Sequence, residues 1–228
     1  MDACIIGHGP SLLKHEWGDT IDSHDTVIRL KRSKTLLEKP RVYGTRTHIV
    51  MGSLVIAPAL VREWDVREYW FFLDTRTKAL CNQAITAFRQ TVPVLTLIDR
   101  ELCLDLIRDY QELRQSIELD SRQKPKGPDS NAGKVNLSDD RGHLHPSAGM
   151  FAVAYTLRHA KPDMLRLYGF DNVLSGSFDW SVTRGPDWKD YPDHNWKAES
   201  LLLGKLAKQY GYSKMDNAEV VTLCKSDM

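Results

Sequence analysis

The sequence has few cysteines, no long apolar run and almost no net charge. Its four cysteines, Cys4, Cys81, Cys103 and Cys224, lie far apart and form no C-x-x-C pair, so neither a zinc site nor a disulfide framework is indicated. Thirty-one basic side chains balance thirty acidic ones and leave a net charge of +1. No overall electrostatic field would therefore draw the chain to nucleic acid or to an anionic membrane.

The first residues carry no basic segment followed by a long apolar stretch, because a strand-like run, Ala3 to Ile6, begins almost at once. Together with the cysteine pattern, this predicts a protein without a membrane segment that works in the reducing cytosol. Apolar residues make up 42% of the 228 residues and charged residues 27%, which is ordinary globular usage. The length favours one domain over two, and we expect it to span 1–228.

Short apolar runs alternate with helical periodicity over most of the chain. This alternation predicts a doubly wound α/β fold, with a mostly parallel sheet and helices on both of its faces. The predicted strands are 3–7, 26–30, 46–51, 68–73, 93–97, 164–168 and 219–223. The predicted helices are 54–63, 77–89, 99–118, 147–160 and 195–210. A polar stretch at about 119–143 interrupts the pattern and is predicted to be a loop or lid inserted into the domain.

A glycine turn follows the first predicted strand, with the sequence Gly7-His8-Gly9-Pro10-Ser11. The missing Cβ atoms in such a turn let backbone N–H groups approach a phosphate or a ribose closely. The full G-x-G-x-x-G pattern is absent because Leu12 fills the last glycine position, and no acidic residue ends the second predicted strand. A dinucleotide dehydrogenase is therefore disfavoured, and an ordinary tight turn between strand and helix stays open as the alternative.

The second predicted strand ends in three cations, Arg29, Lys31 and Arg32. Ligands of open α/β sheets lie outside the carboxyl ends of the strands, where these side chains are expected to point. Arg29 and Lys31 are thus candidates for a phosphate contact. A solvated run of charges is the alternative.

A second turn, His145-Pro146-Ser147-Ala148-Gly149, precedes an apolar predicted helix. Pro146 fixes the entry, Ser147 is a favourable N-cap, and the first free N–H groups with the helix dipole make an anion site. Helix capping without a ligand is the alternative.

The last candidate is His194, which stands five residues before Glu199 at the start of the final amphipathic helix. A histidine titrates near neutrality and is able to take a proton from an attacking hydroxyl. Glu199 would either orient the imidazole ring or cap the helix.

Taken in order, these stretches resemble the sialyltransferases, both the eukaryotic family and the smaller bacterial enzymes that use CMP-sialic acid. Residues 4–12, 21–30 and 43–48 are similar to the family's long motif. Residues 145–149 with 168–170 are similar to its short motif, and His194-x4-Glu199 is similar to its very short motif. The resemblance covers nearly the whole chain.

The resemblance implies a Rossmann-like fold and an inverting, metal-independent transfer in one displacement, with a nucleotide-sugar as co-substrate and no cofactor. It implies that His194 is the general base, with Glu199 beside it in the catalytic motif. The two turns and the cations at the strand end would bind the nucleotide-sugar. These residues are Gly7, His8, Gly9, Pro10, Ser11, Arg29, Lys31, Ser147, Ala148 and Gly149. No Asp-x-Asp metal motif stands at a plausible strand end, in agreement with this expectation.

Two positions depart from the family, which usually has asparagine where His8 and Lys31 stand. Both positions are on the nucleotide side of the expected site, so the expected donor is widened from CMP-sialic acid alone to CMP-sialic acid or a related donor. The eukaryotic disulfide is also missing, because the region near Ala160 offers no partner for Cys4.

The acceptor stays open between a glycan, a small molecule and a modified nucleic-acid base. Contacts to nucleic-acid phosphates would come from a set of basic residues: Arg29, Lys31, Arg32, Lys34, Lys124 and Lys126. A nucleotide-binding module without catalytic activity is a further alternative.

Overall fold

The computed structural model describes residues 1–30, 39–52, 66–71, 94–123, 145–171, 173, 195–217 and 219–226. Eight strands form one sheet in this part of the chain. In sequence order they are β1 (Asp2–Ile6), β2 (Thr26–Leu30), β3 (Ile49–Gly52), β4 (Glu68–Phe71), β5 (Val94–Leu97), β6 (Met164–Tyr168), β7 (Tyr212–Asp216) and β8 (Val220–Lys225). Their spatial order is β5-β4-β3-β2-β1-β6-β8-β7. The first six strands are parallel, whereas β8 is antiparallel to both of its neighbours.

Five α-helices accompany these strands within the described residues. They are α1 (Gly18–Asp22), α2 (Pro40–Tyr43), α3 (Arg100–Gln123), α4 (Ala148–Tyr155) and α5 (Trp196–Tyr210). A 3₁₀ helix covers Pro10–Lys14, and a π-helical turn, Thr156–Ala160, continues α4. None of the helices described is both long and apolar enough to cross a membrane.

Helices cover both faces of the sheet, as the sequence predicts. Side chains of β1 alternate, so that Ala3 and Ile5 enter the larger core cluster while Cys4 and Ile6 enter the smaller one. The larger cluster is formed with α3, α4 and α5, and the smaller one with the 3₁₀ helix, α1 and α2. Helix α4 is apolar all round and lies in the interior, because it packs against β1, β2 and β3 as well as against α3 and α5.

The last predicted strand, 219–223, is antiparallel to its neighbours within the mostly parallel sheet. Helix α5 ends at Tyr210 and is capped by Gly211, whose φ of 76° is favourable for glycine, and the chain then enters β7 directly. The Asn217 side chain then accepts hydrogen bonds from the N–H groups of Glu219 and Val220, at 3.0 and 2.6 Å. This turn returns the chain as a hairpin, so β8 fits between β6 and β7 in the antiparallel sense. The edge strand β7 was not predicted.

Helix α3 continues to Gln123, five residues beyond the predicted end at 118, so residues 119–123 are helical and do not belong to the predicted loop. Residues 119–123 are mostly polar, but they include no glycine or proline, and the first helix-breaking residue is Pro125. The remainder of the insert, and the predicted helices 54–63 and 77–89, lie outside the described residues.

Candidate functional site

The central strand β1 lies between β2 and β6, and this is where the direction of winding reverses. The chain moves outward from β1 through β2 to β5 on one side, and β6 joins β1 on the other. Ile6, the last residue of β1, pairs with Arg29 of β2 and Tyr168 of β6. Such a switch point opens a crevice at the carboxyl ends of the strands, which is where ligands of open α/β sheets bind.

The first glycine turn lies at this switch point and is hydrogen-bonded to the end of β6. The N–H of Gly7 donates to the carbonyl of Tyr168 at 2.8 Å, and the N–H of Gly9 donates to the carbonyl of Gly169 at 2.9 Å. A Cβ atom on Gly7 would lie 2.5 Å from the Gly169 carbonyl oxygen. Glycine is therefore required here by the close approach of two backbone segments, and these two N–H groups are used within the fold.

Asp171 completes the attachment of this turn. Its carboxylate accepts the Ser11 N–H at 3.1 Å and the Ser11 hydroxyl at 2.9 Å. A Cβ atom on Gly9 would lie 1.6 Å from the Asp171 Oδ2, so the carboxylate rests against the backbone of the turn. Ser11 is buried, whereas His8 and Pro10 are half-buried at the crevice.

The second turn lies at the same end of the sheet as the first turn. It leads into α4, which packs on the opposite face of the sheet from the 3₁₀ helix that follows the first turn. Ser147 has the extended conformation of an N-cap, with φ −64° and ψ 160°, and α4 begins at Ala148. A Cβ atom on Gly149 would lie 2.9 Å from the ring of Phe170, and one on Gly7 would lie 3.2 Å from that ring. The Phe170 ring therefore separates the two turns, and the structure brings together the two turns that the sequence singled out.

The Ser147 side chain does not cap α4 as predicted. Its hydroxyl donates to Glu199 Oε2 at 2.9 Å, and its N–H donates to Oε1 at 2.6 Å. Glu199 is 0% exposed. Burial raises the pKa of its carboxyl to about 7, while the two hydrogen bonds from Ser147 act in the opposite direction. Glu199 thus ties the start of α5 to the second turn.

The start of α5 is fixed at a further point. The Asn195 N–H donates to the Tyr110 hydroxyl of α3 at 2.8 Å, and the Asn195 side chain accepts the Ala198 N–H at 2.9 Å as the N-cap of α5. His194 directly precedes Asn195 but lies outside the described residues, as does Lys31. The basic residues considered for nucleic acid, Arg32, Lys34, Lys124 and Lys126, lie outside them as well.

Arg29 lies inside the fold and not at the crevice. Its side chain is 2% exposed, and Nη2 donates to the carbonyls of Tyr43 and Arg46 at 2.8 and 2.9 Å. Its Nε donates to the Thr47 hydroxyl at 2.9 Å. Residue 29 is within β2 and not beyond its end, so its side chain points to a face of the sheet. We therefore assign Arg29 to holding the connection before β3, in place of the phosphate contact that the sequence suggested.

In the part of the chain that the structure describes, no group of three or more His, Cys, Asp or Glu side chains is placed to hold a metal ion. The thiols of Cys4 and Cys103 are buried and form no disulfide.

Solved structures of mammalian sialyltransferases share this architecture. One of them, in complex with Gal-beta-1-3GalNAc-ortho-nitrophenol, aligns with a TM-score of 0.52 and 18% sequence identity, over 91% of this chain and 66% of the other. A second solved structure of a mammalian sialyltransferase aligns with a TM-score of 0.52 and 17% identity over the same shares of the two chains. The fold is sialyltransferase-like.

This chain spans 66% of the length of those sialyltransferase chains. No protein-family model matches the sequence. No curated protein matches it either.

Asp171 was given no role from the sequence, and Phe170 entered only through the resemblance of residues 168–170 to the short motif of the sialyltransferase family. Asp171 and the Phe170 ring follow the end of β6, and their importance depends on β6 being the neighbour of β1. The signal available was the placement of Gly169, Phe170 and Asp171 directly after a predicted strand. Without the strand order, that signal did not connect them to the first turn.

Proposed function

We propose that this chain is a glycosyltransferase that moves a sugar from a nucleotide-sugar donor to an acceptor hydroxyl. The observation that carries the proposal is the meeting of two glycine-containing turns around Phe170, at the switch point of a sialyltransferase-like sheet. A nucleotide would lie in the crevice beside the Phe170 ring and reach both turns, with His8 and Pro10 of the first turn at its side.

The donor phosphate is proposed to bind at the start of α4. The N–H groups of Ala148 and Gly149 are the first two of that helix, and no acceptor is assigned to them among the described residues. They stand at the positive end of the helix dipole, which favours an anion. We propose CMP-sialic acid or a related donor, because the fold is sialyltransferase-like. The proposal includes related donors because His8 and Lys31 stand where sialyltransferases usually have asparagine.

The reaction is proposed to be an inverting displacement without a metal ion. His194 would accept the proton of the attacking hydroxyl, and the N–H groups at the start of α4 would stabilise the charge on the leaving phosphate. The two hydrogen bonds that Ser147 donates to Glu199 support this arrangement, because they join α5, the helix that follows His194, to the turn proposed to bind the phosphate.

We propose a glycan as the acceptor, since one of the similar sialyltransferases was solved in complex with Gal-beta-1-3GalNAc-ortho-nitrophenol. We also propose the cytosol as the location, because the four cysteines are widely spaced and indicate no disulfide framework.

A panel of CMP-, UDP- and GDP-sugars tests the proposal, with thermal stabilisation and donor hydrolysis as readouts. We expect one nucleotide class to raise the melting temperature, because a ligand that binds only the folded state stabilises it, and to be hydrolysed slowly. Stabilisation without hydrolysis, and without transfer to any glycan acceptor, would indicate a nucleotide-binding module. If no donor stabilises the protein or is hydrolysed, the proposal is wrong.

A further inference from the structure

We propose that Asp171 is a positioning residue for the nucleotide, because it holds the first glycine turn in the geometry that the donor requires. This inference rests on the function proposed above and concerns the nucleotide side of the same crevice. Asp171 lies three residues beyond β6, the strand that completes the switch point with β1.

The contact between Asp171 and the turn is short and bidentate. Both Ser11 donors, the N–H and the hydroxyl, reach the carboxylate at 3.1 and 2.9 Å. Hydrogen bonds to an ionised acceptor are stronger than neutral ones, and shielding from water strengthens them further. Ser11 is 2% exposed, so this contact is protected from solvent on its side.

The carboxylate also limits where the turn can lie. The Gly9 Cα packs against it so closely that a Cβ atom would be 1.6 Å from Oδ2. His8 lies between two backbone hydrogen bonds, from Gly7 to Tyr168 and from Gly9 to Gly169, and the Asp171 contact fixes the end of the turn at Ser11. Removing the carboxylate frees the segment from Gly9 to Ser11, so the backbone around Pro10, beside the nucleotide, can shift.

The chain offers a matched control with the same chemistry elsewhere. The Asp22 carboxylate accepts the Thr45 N–H at 2.8 Å and the Thr45 hydroxyl at 3.0 Å, and it also accepts the Arg46 N–H at 2.9 Å. Asp22 precedes β2 and Thr45 precedes β3, so this contact is at the amino ends of the strands, away from the crevice. Loss of Asp22 tests general destabilisation without disturbing the nucleotide side.

The experiment compares the full-length wild type with Asp171→Ala, Asp171→Asn and Asp22→Ala. Calorimetric titration with CMP, UDP and GDP gives the dissociation constant, and amide hydrogen exchange without nucleotide reports the opening of the Ser11 N–H. We expect Asp171→Ala to raise the dissociation constant about tenfold or more, since poorly supported binding groups lose geometry. Asp171→Asn keeps one acceptor oxygen for the Ser11 N–H and should recover part of the affinity. Asp22→Ala should change it less than about twofold.

Faster exchange of the Ser11 amide in Asp171→Ala, but not in Asp22→Ala, together with the expected loss of affinity, supports the inference. Equal nucleotide affinity in wild type and Asp171→Ala overturns it while leaving the proposed function intact. An equal loss in Asp22→Ala also overturns it, because the effect would then come from destabilisation. If the wild type binds none of the three nucleotides, the proposed function fails and the nucleotide role of Asp171 fails with it.

Discussion

Glu199→Gln removes a buried ionisable group and leaves a side chain of nearly the same shape. In the wild type, burial raises the pKa of Glu199 from its ordinary value of 4.5 to about 7. The folded protein therefore retains a proton at pH values where the unfolded chain has already lost it. The stabilisation from this group is fully present below about pH 4.5 and is lost as the pH rises through about 7.

The size of the effect follows from the two pKa values. The difference between them corresponds to about 3 kcal/mol in the free energy of unfolding, as an order of magnitude. Glutamine does not titrate, so the free energy of unfolding of the wild type should fall relative to that of Glu199→Gln by this amount between about pH 4.5 and about 8. Urea denaturation followed by circular dichroism at several pH values in this range measures it.

Glu101→Gln is the control, because Glu101 is exposed in the first turn of α3. Its pH profile should run parallel to that of the wild type. If the difference between wild type and Glu199→Gln stays constant within about 0.5 kcal/mol over this range, burial does not govern the titration of Glu199 and the reasoning is refuted.

Three further substitutions test the proposed base, the first glycine turn and the buried arginine of β2. His194→Ala should lower the transfer rate about 10²–10⁴-fold with an unchanged melting temperature. An unchanged transfer rate would exclude His194 as the base. His159→Ala is the control, because His159 is exposed. Gly9→Ala should lower the free energy of unfolding by about 1–3 kcal/mol in urea denaturation, because the added Cβ meets the Asp171 carboxylate. Gly204→Ala should raise it by about 0.5–1 kcal/mol, because nothing lies close to the added Cβ there. Arg29→Ala should cost about 2–4 kcal/mol; a smaller loss would show that its bonds to the residues before β3 matter little.

The fold could be predicted from the sequence where local pattern and final environment agree. The strands 26–30 and 164–168 have the same bounds in the structure, because their apolar runs are buried on both faces of the sheet. The strand Tyr212–Asp216 was missed because it is a polar edge strand with one neighbour, and such a strand needs no apolar run.

The two glycine turns of the candidate site could be predicted from the sequence, but the carboxylates that hydrogen-bond to them could not. Gly9 and Gly149 stand out by residue type, since glycine marks close approach. The partners Asp171 and Glu199 act through contacts 160 and 52 residues away in sequence, on Ser11 and Ser147. No local periodicity encodes such pairings, because they depend on the order of strands and on the packing of α4 against α5.

The pairing of β1 with β6 has a consequence for how the protein is made. Ile6 pairs with Tyr168, so the central strand cannot complete its hydrogen bonding until the ribosome has released a segment far along the chain. Contacts so distant in sequence form slowly, because the entropy of closing a long loop is lost before the contacts contribute any stabilisation. The first glycine turn takes its hydrogen bonds from Tyr168, Gly169 and Asp171. The first glycine turn therefore takes up its final geometry only after residues 168–171 have been synthesised, and the nucleotide site proposed above would form no earlier.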